Sequence, residues 1–211
     1  MPRLSEQKRA VLESMTRDAL YEAALSILEA EGWMGLTMEK LAQRAGVAKG
    51  TVYNYFADKK EVVFFVLKRN GEALTREMEE IRMLGLDPAA ELQRVLESLV
   101  LGIHRHRNVI AAVIRVVEEN PELHSLHGPG SKNHPMRQAR EAVLKVLTRG
   151  VECGAFRSFD PGLMEDLIHG ILMSLGRMFG IGAFDGNPEV ISEMVKDLVL
   201  HGILPRKGTD A

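Results

Sequence analysis

Apolar residues recur at three- and four-residue spacing through almost the whole chain, and convincing period-two alternation is hard to find. Such a chain folds as helices that each bury one stripe, so the fold class reads as all-α. From about Thr16 to Glu31 the stripe is Leu20, Ala23, Ala24, Ile27 and Leu28, and Gly32 is its natural stop. The residues before Thr16, with Arg3, Lys8 and Arg9, extend this helix or form an arm. Thr37 is a good N-cap for a short helix burying Met38, Leu41, Ala42 and Ala45, ended by Gly46. A third helix follows from about Lys49 to Tyr55. Asp58, with Glu61 three residues on, has the capping-box pattern for a fourth that buries Val62, Val63, Phe65 and Val66 and runs to about Met83.

Gly85 to Pro88 looks like a break. Further helices fit 88–106, 108–119, 135–153, 161–181 and 187–203, with a Pro-, Gly- and His-containing loop at Asn120 to His134 and a frayed tail from Pro205. The division expected is an N-terminal helix-turn-helix domain over 1–66, its fourth helix linking to about residue 83, and a C-terminal helical bundle over 67–211.

Bulk charge does not announce a nucleic-acid partner. The formal net charge is −2, and residues 1–60 carry nine Lys and Arg against eight Asp and Glu. Cys153 is the single cysteine, which excludes an internal disulfide and suits a reducing cytoplasm. The first residues lack the apolar run of a signal peptide. No stretch approaches about 18 uninterrupted apolar residues, so no membrane partner is expected.

The segment from Thr37 to Phe56 is two short helices joined by a tight turn at Gly46, with Val47, Val52 and Phe56 on the inner side. The outer side of the third helix offers Lys49, Gly50, Thr51, Tyr53, Asn54 and Tyr55. These are cationic and hydrogen-bonding groups, with a glycine that admits close approach. A helix of this kind fits the major groove of B-DNA, where base edges can be read. The same features also suit a purely structural helix pair in which Tyr53 and Tyr55 half-bury their rings.

The run Leu41-Ala-x-x-Ala-Gly-Val-x-Lys-Gly-Thr-Val-Tyr-x-Tyr-Phe-x-x-Lys-Lys-Glu-Val resembles the DNA-binding signature of the TetR family of bacterial transcriptional regulators. The resemblance covers about residues 17–66; beyond Leu67 only length and helicity match. It implies a regulator, most often a repressor, that binds a near-palindromic operator in double-stranded DNA as a homodimer and is released by a small-molecule effector. It further implies that Thr37 contacts phosphate and that Lys49, Gly50, Thr51 and Asn54 face the groove. Tyr53 and Tyr55 would bond phosphates or pack on thymine methyls, Lys59 would bind phosphate, and Arg44 and Arg17 would flank. Ala48 departs from the family pattern, which commonly has Ser or Thr there.

The last two long helices are the dimer candidates. Gly170 and Ser174, then Gly176 and Gly180, are small residues spaced by four, and Ile191, Met194, Val195 and Leu198 are apolar positions for a four-helix interface. These faces could instead close an intramolecular core. Effector candidates are the polar groups on otherwise apolar helices, His104, Arg107, Arg115, His169 and Arg177, with Met173 as an adaptable wall. His104 and His169 are expected to meet between helices, and Arg177 to pair with Glu165, Asp166 or an anionic effector. His106, His124, His127 and His134 add no recognisable metal spacing, and no cofactor is expected. Cys153 lacks a nucleophile setting, so an enzyme is not expected. A helical dimeric adaptor without DNA binding is the alternative class.

Overall fold

The structure, a computed structural model, describes residues 2–120, 137–184 and 186–204. Among them are nine helices and no strand: α1 Pro2–Gly35, α2 Met38–Ala45, α3 Lys49–Tyr53, α4 Lys59–Met83, α5 Pro88–Arg105, α6 Arg107–Glu119, α7 Arg137–Glu152, α8 Pro161–Gly180 and α9 Pro188–Ile203. The all-α reading holds. The expected loop at 120–134, with His124, His127 and His134, lies outside the described residues apart from Asn120.

The helix boundaries follow from local chemistry. Asp87, Asp160 and Asn187 each precede a proline, and each side chain accepts backbone N–H groups of the following turn. The proline sits where a helix has no use for its N–H. Asp58 caps α4 in the same way. Glu61 reaches back one residue further than a standard capping box, accepting the Ala57 N–H at 2.7 Å. Of the two alternatives for the residues before Thr16, extension of the first helix is the one observed, back to Pro2. Gly32 interrupts it at φ 64°, ψ −164°, a conformation that β-carbon sterics deny most other residues.

Two buried clusters result. In the first, Leu20, Ile27, Leu28, Leu41, Val52 and Val62 bind α1 to α4 together, and Val109, Ala112 and Val116 of α6 join them. In the second, Leu92, Leu96, Val100, Leu147, Ile168 and Ile203 unite α5, α7, α8 and α9. Although α6 belongs by sequence to the C-terminal part, its inner stripe completes the N-terminal core. Its other side meets α8 so closely that a β-carbon on Gly176 would lie 3.2 Å from Ile110, and one on Gly180 3.0 Å from Ala111. These two glycines therefore serve an α6–α8 contact inside the chain rather than an interface between chains.

The outer face of the bundle also differs from expectation. Ile191 and Val195 are each 6 % exposed within the protomer's own core, because they share the inward stripe of α9 with Val199 and Ile203. The outward row of α9 is Val190, Met194 and Leu198, and on α8 Leu163, Leu167, Gly170 and Ser174 are exposed.

Candidate nucleic-acid interface

The helix-turn-helix is built from short-range rules. The Thr37 Oγ1 accepts the Lys40 N–H at 3.1 Å, which caps α2 and leaves the hydroxyl proton to donate outward. Gly46, at φ 69° and ψ 28°, ends α2 in the left-handed region and turns the chain toward α3. Val47 N–H closes the turn on the Ala42 carbonyl at 3.0 Å. Ala48 stands at the N-cap of α3 and provides no side-chain cap, as its departure from the family pattern implies. Val52 and Phe56 point into the core, and Phe56 packs on Phe65 with ring centroids 5.1 Å apart.

This anchoring leaves Lys49, Gly50, Tyr53 and Asn54 exposed and Thr51 half-buried on one side. Tyr53 is 49 % exposed, a large apolar ring turned to solvent next to Lys49. Tyr55 is half-buried, with the Arg17 guanidinium 5.3 Å from its ring centroid. Thr37 and Arg44 are exposed beside the same helix pair, and Arg44 bonds Ser26 of α1. Thr37, Lys49, Gly50, Thr51, Tyr53, Asn54 and Lys59 lie at the start of α2, on α3 and at the start of α4, while Arg44, in the last turn of α2, and Arg17 lie against or on α1.

Several of its cations have partners that the sequence did not announce. Lys59 Nζ lies 3.8 Å from the centroid of the Trp33 ring. Lys40 pairs with Glu31, and Lys49 with Glu39. The Glu39 hydrogen bond raises the Lys49 pKa. Lys60 donates to Asn120 Oδ1 at 3.0 Å, joining the first turn of α4 to the end of α6. A second tie joins α1 and α6: Asn108 Nδ2 donates to the Glu29 carbonyl at 2.7 Å, and His106 Nδ1 lies 3.5 Å from the Glu29 carboxylate. Burial pushes the His106 pKa below its ordinary value, against the pull of Glu29.

The residues expected around an effector are not gathered at one place. His104 meets the edge of Phe179 at 5.1 Å between centroids. Phe179 is ten residues along α8 from His169, about 15 Å at helical rise, so the two histidines do not meet. His169 is instead a neighbour of Arg140, whose charge adds to burial in lowering the histidine pKa. Met173 and Arg177 are exposed on the outer face of α8. Glu165 and Asp166, expected as partners of Arg177, are held by Arg140 of α7. Arg107 donates to the His104 carbonyl, and Arg115 pairs with Glu119 while lining a cleft of about 260 Å³ with Trp33, Asn108 and Gly180. Among the described residues no group of three or more His, Cys, Asp or Glu could hold a metal ion, and no helix is long and apolar enough to cross a membrane.

The family model described as bacterial regulatory proteins, tetR family, matches residues 20–64, which span this surface. The fatty acid metabolism regulator protein of Bacillus subtilis is 24 % identical over 194 residues, covering 87 % of this chain and 93 % of its own length. The crystal structure of the transcriptional regulator FadR from Bacillus subtilis in complex with stearoyl-CoA matches with TM-score 0.64 at 20 % identity, over 87 % of this chain and 97 % of that one. A protein from Saccharomonospora viridis crystallised with choline matches with TM-score 0.73 at 20 % identity, over 92 % of this chain and all of the other.

Proposed function

We infer that this chain, which belongs to the tetR family of bacterial regulatory proteins, is a repressor that binds a near-palindromic operator as a dimer. DNA-binding transcriptional regulation is the family's function. The observation that carries the operator reading is the exposure of Lys49, Gly50, Tyr53 and Asn54 on a helix anchored from behind by Val52 and Phe56. That helix enters the major groove, while the Thr37 hydroxyl and the Lys59 ammonium take phosphates on either side. The domain division proposed is a reading head over 1–66, linked by α4 to a body over 67–211, with α6 packed on both.

Dimerisation is supported by exposed apolar residues on both α8 and α9. Leu167 is 56 % exposed, Met194 67 % and Leu198 64 %, and the exposed Gly170 and Ser174 allow close approach of a second copy. A two-fold axis through such a four-helix face would set two heads on successive major grooves.

The effector proposed is a long-chain acyl thioester bound in the body. The similarity to the fatty acid metabolism regulator, which extends across the body as well as the head, and to the FadR structure that holds stearoyl-CoA supports this class. Binding must favour a head spacing that does not fit the operator, or it shifts nothing.

The test is selection from random duplexes followed by a mobility-shift titration. A palindromic site bound in a salt-sensitive manner, weakened at least tenfold by Tyr53→Ala or Lys59→Ala with the melting temperature unchanged, is the expected result. Failure to enrich any site would favour the helical adaptor. Stearoyl-CoA should then release the operator at concentrations where free CoA and choline do not.

A further inference from the structure

Lys49 begins the reading helix, yet its ammonium already has a carboxylate partner. Glu39, in the first turn of α2, accepts a hydrogen bond from Lys49 Nζ across the turn of the motif. Both side chains are open to solvent, 71 % exposed for Glu39 and 50 % for Lys49. A pair this exposed adds little to stability. The core of the motif is complete without it, through Leu41, Ala42, Val52 and Phe56. Its cost falls elsewhere. Glu39 stands two residues from Thr37, on the surface proposed to meet DNA, where a carboxylate opposes every phosphate brought near it. It also occupies the cation at the start of the helix proposed to enter the groove.

Non-specific binding to DNA draws its free energy from phosphate charge. For Lys49, exchange of the carboxylate for a phosphate replaces one anion by another and gains little, while Glu39 is left facing the polyanion. A particular base sequence can offer more. An acceptor edge such as guanine O6 and N7 takes the ammonium, and an exocyclic amino group on a neighbouring base donates to the carboxylate. Both members of the pair then exchange a partner for a partner.

We propose that Glu39 is a specificity-determining residue of the reading head, holding Lys49 from phosphates and releasing it where a base acceptor for Lys49 lies beside an amino donor for Glu39. This rests on the operator-binding reading, and the two can fail separately.

The test measures affinity of the full chain for its selected operator and for a scrambled duplex over a salt series, with Glu39→Ala, Lys49→Ala and the double variant. Both positions are exposed, so circular dichroism and melting temperature should match the parent. Glu39→Ala is expected to bind the scrambled duplex three- to tenfold more tightly and the operator no more tightly. Its log K against log salt slope on the scrambled duplex should steepen by about 0.9, one more phosphate neutralised. Repeating the site selection with Glu39→Ala should relax one base position of each half-site. In the Lys49→Ala background the gain on scrambled DNA should shrink. An equal change on both duplexes, no change on either, or an undiminished gain without Lys49 would overturn the proposal. If the parent itself selects no site, the operator reading falls, and this inference with it.

Discussion

The Lys59 ammonium rests 3.8 Å from the centroid of the Trp33 ring, so the proposed phosphate ligand at the start of α4 is oriented by the residue that follows the kink in α1. Trp33 is the sole tryptophan and is 9 % exposed. When Lys59 turns to a phosphate, the charge over the indole moves. Operator addition should therefore change Trp33 emission, and Lys59→Ala should remove most of that change. Trp33→Phe should retain the fold, while Trp33→Ala should cost about 3–5 kcal/mol in urea denaturation, the usual cost of emptying a large aromatic site.

The junction between α1 and α6 gives stability a pH dependence. His106 is half-buried with its pKa lowered by desolvation; Glu29 opposes the shift and Arg105 adds to it. A base whose folded pKa is depressed takes up its proton more readily when unfolded. Its contribution is therefore fully present above the ordinary value of 6.5, and is lost as pH falls through the folded pKa. Melting temperature should decline from pH 7 toward pH 5, and His106→Gln should flatten part of that decline. His169 is shifted the same way, so some slope should survive the single change. A variant with an unaltered slope would mean that His106 does not titrate in this window.

The head was legible in the sequence because its determinants are local. Thr37 and Gly46 act within four residues of themselves, and the signature carries many residue types at fixed spacing. What stayed hidden depends on distance along the chain. Lys60 meets Asn120 across 60 positions and Asn108 meets Glu29 across 79, and no periodicity encodes either. On α9 the apolar residues cover most of the circumference. Spacing alone could not separate the inward Ile191 and Val195 from the outward Met194 and Leu198. Gly176 and Gly180 signalled a close helix approach correctly but not its partner, which is α6. The Glu39–Lys49 pair spans the turn between two helices, and neither helix's own pattern announces it.

That division of α9 predicts opposite outcomes for neighbouring substitutions. Met194→Asp or Leu198→Asp should leave the protomer folded and shift native mass spectra from dimer to monomer. Ile191→Ala should leave the oligomeric state unchanged and cost about 2–5 kcal/mol of stability. Monomerisation by Ile191→Ala with unimpaired stability would place the interface on the other face of the helix.

Two acids of the body core are held by arginines, Glu91 by Arg149 and Glu165 by Arg140, and for the second pair removal of one partner or of both should differ in cost. Glu165 is 7 % exposed and is bound through two oxygens by Arg140, with the Nε bond to Oε1 at 2.8 Å. Arg140 also holds Asp166, which is open to solvent. Arg140→Ala strands a buried carboxylate, and breaking such a pair costs about 3 kcal/mol. Most of that cost is desolvation of the remaining charge. Replacing both partners by apolar residues of similar size, Arg140→Met with Glu165→Leu, should therefore recover most of the loss. The urea midpoint should fall for the single variant and return toward the parent for the double, with the slope of the transition unchanged. If the double variant is as unstable as the single, the pair stabilises the α7–α8 contact directly rather than by neutralising the buried acid.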